Sequence, residues 1–204
     1  MVEIKIAVVS FPLQPDYGGD AYLVKKLTDK ILIAVIDGLG HGRMAYEAAS
    51  RTLELLADNN DPELDKLLEN IHKALISTVG VVIGLALVDQ QTQQITFTGI
   101  GNIIVKLISR KTTEIFLPAG ILGYQTNNSF QRVIAFSPDD ILLMHTDGIA
   151  DNYNLHSFYP LTLSSPVQIV RTLMSGYRRP SDDALILAAS ELWKEGYEEQ
   201  IIHE

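Results

Sequence analysis

The sequence predicts an α+β fold, a four-layer αββα sandwich in which two antiparallel sheets are flanked by helices. Short strand-like segments follow one another in runs instead of alternating one by one with helices, which disfavours a parallel α/β sheet. The helical segments are few, with two grouped after residue 43 and one after residue 165. With 204 residues and 47% hydrophobic content the chain can bury a sizeable core, and it shows no repeat, low-complexity stretch or linker. It is therefore expected to form a single domain over 1–204.

The elements read as follows. Residues 2–11 form a strand, followed by a loop marked by Pro12, Pro15 and Gly18-Gly19. Strands 21–27 and 31–36 flank the polar turn Thr28-Asp29-Lys30, short enough for a hairpin. After Asp37 the period changes: Met44, Ala45, Ala48, Ala49, Leu53, Leu55 and Leu56 make a helical stripe, with Glu47, Arg51 and Glu54 on the wet side. Asp61-Pro62-Glu63 reads as an N-cap with proline at the first helical position, opening a second helix to residue 76. Strands are expected at 81–88, 94–98, 103–108, 114–117, 131–136 and 140–145. Ser165-Pro166 opens a third helix to residue 174, a strand follows at 184–188, and the tail 191–204 reads as a short surface helix.

Composition removes several functions. The formal net charge is −9, from 25 acidic and 16 basic residues, whereas nucleic-acid binding needs clustered lysine and arginine. The basic doublet Arg178-Arg179 is too short to be a patch. With no cysteine there is no disulfide, thiolate zinc site or cysteine nucleophile. The first six residues alternate apolar and polar side chains, unlike a signal peptide. No apolar run approaches the roughly 18 residues of a membrane span, so a cytoplasmic protein without a membrane partner is expected.

Chemistry is suggested by aspartates beside glycine at strand ends. Asp20 follows Gly18-Gly19, Asp37 precedes Gly38, Asp147 precedes Gly148, and Asp182 lies in Ser181-Asp182-Asp183 just before a strand. Singly, each reads as a turn or a solvated loop. Together they matter if they converge. Like charges about 4 Å apart repel by roughly 4 kcal/mol at an effective dielectric of 20, so a cluster of them calls for cations. Hard oxygen donors select Mg²⁺ or Mn²⁺, and a pair of such ions can activate water and polarise a phosphoryl oxygen. A backbone carbonyl can add a ligand where glycine lets the chain approach. His41 could act as a general acid or simply shape its turn, and His145 sits two residues before Asp147. Asn102 reads as a turn residue and Trp193 as a packing anchor, while His72, His156 and His203 fall in no pattern. The helices after Arg43 leave directly from the Gly38 loop; they read first as cover for a sheet, and alternatively a shift in their packing could move Gly38 and alter metal occupancy.

In order, Gly19-Asp20, Asp37-Gly38-Leu39-Gly40-His41-Gly42, Thr146-Asp147-Gly148 and Asp182-Asp183 resemble the motifs of the PPM family of metal-dependent serine/threonine protein phosphatases. The SpoIIE-type branch is the most similar, and within it a stressosome phosphatase that is a bare catalytic domain of this size. Phe97-Thr98-Gly99-Ile100-Gly101-Asn102 and Pro118-Ala119-Gly120-Ile121-Leu122-Gly123 also resemble that branch, and the likeness spans roughly residues 3 to 189. The resemblance implies the αββα sandwich and two Mn²⁺ or Mg²⁺ ions. Asp37 would bridge them, Asp147 and Asp182 would complete one site, and Asp20 with the Gly38 carbonyl would serve the other. Metal-activated water, placed by Asp37 and Asp20, would attack a phosphoserine or phosphothreonine directly. His41, Asp183 and Gly148 would stand behind these ligands. The arginine that binds phosphate near the N-terminus of many relatives has no counterpart, since residues 1–20 hold only Lys5 as a cation. The implied substrates are phosphorylated STAS-domain stress-signalling proteins, with the enzyme, a monomer, as a resetting or feedback element. A phosphorylated anti-anti-sigma factor is the alternative substrate, and a non-catalytic phosphatase-like binding module the alternative class.

Overall fold

The computed structural model describes residues 3–60, 63–109, 112–126, 130–155, 166–192 and 199–202. One sheet orders its strands β10-β5-β4-β3-β2. These are β2 (Asp20–Lys26), β3 (Lys30–Gly38), β4 (Val81–Asp89), β5 (Gln94–Ile100) and β10 (Arg132–Ala135). The other sheet runs β13-β1-β12-β11-β6-β7. It comprises β1 (Glu3–Phe11), β6 (Ile104–Ile108), β7 (Thr113–Ile115), β11 (Ile141–His145), β12 (Ala184–Leu192) and β13 (Glu199–Ile202). Helices α1 (Arg43–Asp58) and α2 (Leu64–Leu75) cover the first sheet, and α3 (Pro166–Tyr177) covers the second. The layers are therefore α, β, β, α, as the sequence predicts.

Strand composition follows from this layering. β3 is apolar at every position from Ile31 to Ile36 because both its faces are buried. Ile31, Ile33 and Val35 point into the space between the sheets, and Leu32, Ala34 and Ile36 pack beneath α1 and α2. β12 repeats the pattern, with Leu185 and Leu187 between the sheets and Ala184, Ile186 and Ala188 against α3. Two-sided burial removes the alternation expected of a strand with one wet face. The turn after β2 is the short one expected, closed by the Leu27 amide donating to the Lys30 carbonyl at 2.8 Å.

The tail is where the expected helix fails. β12 continues to Leu192, and Glu199–Ile202 then lies parallel to β1, from Ile6 opposite Glu199 to Val9 opposite Ile202. β1 would otherwise present an open row of backbone donors and acceptors, and pairing supplies their partners. This is the one parallel pair in an otherwise antiparallel sheet among the described residues. Trp193, His156 and His203 lie outside the described residues, as do Asp61-Pro62 and Ser165. α2 begins at Leu64 after Glu63, which is extended and makes no side-chain cap bond. The strand foreseen at 114–117 is confined to Thr113–Ile115, and the chain then folds an unforeseen small hairpin, β8 (Gly120–Ile121) with β9 (Gln125–Thr126). No helix among the described residues is long and apolar enough to cross a membrane.

Phe97 is fully buried between the sheets, whereas Phe116 is 75% exposed. Phe97→Ala is expected to cost about 3–5 kcal/mol in a denaturant titration, and Phe116→Ala no more than about 0.5 kcal/mol.

Candidate active site

Each sheet brings one antiparallel strand pair to the same end of the sandwich, and each pair carries aspartates there. In the first sheet Asp20 and Asp37 stand directly opposite each other across β2 and β3. Asp37 shares the side-chain parity of Ile33 and Val35, so it faces the second sheet. In that sheet β11 ends at His145 and delivers Asp147, while Asp182 and Asp183 immediately precede its neighbour β12. Asp37, Asp147 and Asp182 line one cleft of about 320 Å³ together with Leu39, His41, Asn102 and Ser181. No lysine or arginine is among the described residues lining it.

Close backbone packing sets the loops around the cleft. A Cβ on Gly38 would lie 2.3 Å from the Ala45 carbonyl oxygen, and one on Gly148 would lie 1.8 Å from that of Asp183. Only glycine lets α1 start this close to the end of β3, and only glycine lets the 147–148 turn lie on the 182–183 turn.

Asp20 does not line the cleft. Its Oδ2 accepts a 2.6 Å hydrogen bond from the Thr146 hydroxyl, which itself accepts the Leu185 amide at 3.0 Å. Asp183 also stands back: it accepts the Leu13 amide at 2.6 Å and the Gly19 amide at 2.8 Å, pinning the loop before β2. Gly19 in turn accepts the Gly38 amide at 3.0 Å. Asn102 donates to Asp147 Oδ2 at 3.0 Å, holding that carboxylate without neutralising it. Neither Thr146 nor Asn102 draws attention as a single residue. Their sequence signal is membership of the Thr146-Asp147-Gly148 and Phe97–Asn102 segments that carry the family resemblance. His41 is exposed on the rim. His145 is a core histidine: Nδ1 lies 2.8 Å from the Thr146 carbonyl and Nε2 2.7 Å from the Tyr153 hydroxyl. Burial pushes its pKa down to about 4, so the ring is neutral.

Electrostatics couple the aspartates. Burial, then the charges of Asp147, Asp182 and Asp183, pushes Asp37 from 3.8 up to about 7. Asp20 is raised well above its ordinary range by burial and next by Asp37, and Asp182 is raised by burial and then by Asp147. The side chains ring the cleft without closing on one point: no three of the described acidic or histidine side chains lie at metal-ligand spacing. What the donor set offers is an all-oxygen, uncompensated negative field, which suits a hard divalent cation.

Because Asp37 binds its proton more tightly folded than unfolded, its contribution to stability is present below 3.8 and lost as pH rises through about 7. In chelator, the wild-type melting temperature is expected to fall over this window more steeply than that of Asp37→Asn, whose amide does not titrate. Parallel slopes would contradict the coupling.

Comparison with known proteins gives the family and the fold. Residues 28–190 match the Stage II sporulation protein E (SpoIIE) family. The chain is 24% identical over 134 residues to the phosphoserine phosphatase RsbX of Bacillus subtilis strain 168, covering 64% of this chain and 67% of that one. A solved chain described under the bacterial stressosome, a modular system adapted to control secondary messenger signalling, superposes with a TM-score of 0.82 at 27% identity. It covers 93% of this chain and 99% of its own. RsbX in complex with magnesium shares the fold at a TM-score of 0.80 and 18% identity, over 94% of this chain and all of that one. The chain thus belongs to the SpoIIE family of PP2C-type (PPM) serine/threonine protein phosphatases, a metal-dependent family.

Proposed function

We propose that two Mg²⁺ or Mn²⁺ ions would be held at this end of the sandwich, with Asp37 serving both. Asp147 and Asp182 would complete one site, and Asp20, which stands outside the cleft lining, would serve the other with the Gly38 carbonyl. The observation that carries this reading is the meeting of Asp37, Asp147 and Asp182 in one cleft with no lysine or arginine among its described lining residues, where Asp37 rises to about 7. When bound, such ions supply the Lewis acidity that activates water and polarises a phosphoryl oxygen.

The chain's own residues do the rest. Asn102 fixes the direction of Asp147, and the Thr146 hydroxyl fixes that of Asp20 by donating to its Oδ2. Asp183 fixes the loop that delivers Asp20. His41, on the rim, shapes the turn after Asp37, and on the alternative reading it would pass a proton to the departing serine or threonine oxygen. With no cysteine in the chain, no thiol phosphoenzyme is available.

The substrates on this reading are phosphoserine or phosphothreonine sites on STAS-domain proteins of a bacterial stress-signalling assembly. Support comes from the relatives, one named as a phosphoserine phosphatase and one solved chain described with the stressosome. Residues 1–204 act as one domain, a cytoplasmic monomer that resets the signal. The core shared by both sheets supports a single folding unit.

Phosphate release from a phosphoserine STAS-domain protein tests this reading. With Mn²⁺ or Mg²⁺ release is expected, and chelator or Asp37→Asn is expected to slow it at least ~100-fold, the order of several kcal/mol of lost charge stabilisation. Equal rates in all three conditions would remove the metal mechanism.

A further inference from the structure

Behind the Asp147 turn lies a buried polar cluster that the reading above leaves unused. Lys106, in the middle of β6, is only 6% exposed. It stands opposite Leu143 on β11 and shares the side-chain parity of Ile108, which packs in the core beneath α3. An apolar side chain is expected at such a position, and a buried ammonium is tolerated only when paired. The partner is Asp151, just past the Asp147 turn. Lys106 Nζ donates to Asp151 Oδ1 and lies 4.5 Å from the centre of the Tyr153 ring.

Tyr153 leads the cluster back to β11. Its hydroxyl lies 2.7 Å from His145 Nε2, and His145 Nδ1 lies 2.8 Å from the Thr146 carbonyl. A carbonyl only accepts, so Nδ1 holds the proton of the neutral ring and Nε2 accepts from Tyr153. The chain from His145 to Tyr153 is thereby tied into a loop that carries Asp147. Within it the Ile149 amide donates to the Thr146 carbonyl at 3.2 Å. Its outer stretch is zipped to the segment before Asp182: the Ala150 amide donates to the Tyr177 carbonyl at 2.8 Å, and the Arg179 amide to the Gly148 carbonyl at 2.7 Å.

Fold stability does not call for this lysine, since an apolar replacement of a buried ion pair is often as stable. The loop has a different need. Next to burial, the charge of Asp147 is what most raises both Asp37 and Asp182, so without a cation the turn is pushed away from the cleft. A tether behind the turn opposes that push.

We propose that Lys106 and Tyr153 are positioning residues: acting through Asp151 and His145, they hold the Asp147 turn where it can bind a divalent cation. This rests on the metal reading above for what Asp147 binds, and adds what keeps it in place.

The experiment measures the calorimetric Mn²⁺ affinity of the full chain and of Lys106→Met, Asp151→Asn and Tyr153→Phe. All three variants are expected to bind Mn²⁺ more weakly, Lys106→Met by about tenfold or more. A pure charge effect gives another pattern: loss of the lysine tightens binding, loss of the aspartate weakens it, and Tyr153→Phe changes nothing. That pattern would overturn the proposal, as would wild-type affinities in variants whose melting temperature alone has fallen. The Asp151 side chain is 34% exposed and stays hydrated after Lys106→Met, so this variant is expected to fold. If it does not, Tyr153→Phe, which alters no charge, decides the question. Hydrogen exchange in chelator reads the loop with no metal present: the Ile149 and Ala150 amides are expected to lose protection in the variants while those of β3 keep theirs. Unchanged exchange at Ile149 and Ala150 would sink the tether, whereas a wild type that binds no Mn²⁺ would sink the metal reading, so the two failures are separately visible.

Discussion

Mutual repulsion among carboxylates at one end of the sandwich is the constraint around which the rest of the molecule is arranged. Asp20 and Asp37 face each other across a single strand pair, an arrangement that costs energy wherever both are ionised. Asp147 and Asp182 arrive from the opposite sheet and add to the same field. A hydrophobic core cannot relieve this strain, but it can hold it in place. The inter-sheet core, filled by side chains such as Phe97, Ile33 and Leu187, fixes two rigid strand pairs whose ends have no alternative position.

Much of this was legible in the residues themselves. The segments 31–36 and 141–144 are apolar at every position, which marks strands buried on both faces and implies a layered core. Glycine after Asp37 and Asp147 marked turns where a carbonyl could approach a ligand; the structure adds that both glycines are needed for backbone packing, against Ala45 and Asp183. The tail was misread because strand pairing with β1 is a long-range fact, and a polar, glutamate-rich stretch resembles a surface helix when its partner is unknown. The β8–β9 hairpin escaped because two-residue strands carry no period.

The division of labour among the acidic residues was only partly visible. Asp182 and Asp183 are neighbours in sequence and equal in chemistry, yet one lines the cleft and the other accepts two loop amides. No spacing rule separates them; only the direction in which the chain enters β12 does. Asp20 is similar. Its place at the start of β2 is readable, but its bond to Thr146 depends on a residue more than a hundred positions away.

The Thr146 hydroxyl belongs to the second sheet, where it receives the Leu185 amide, and donates to Asp20 in the first. One side chain thus measures the gap between the layers. A change that let the sheets slide or swell would lengthen this link before it exposed any core, turning Asp20 relative to Asp37. On the proposed reading the distance between the sheets becomes a catalytic parameter, and core residues far from the cleft, by setting that distance, share in tuning the geometry of the site.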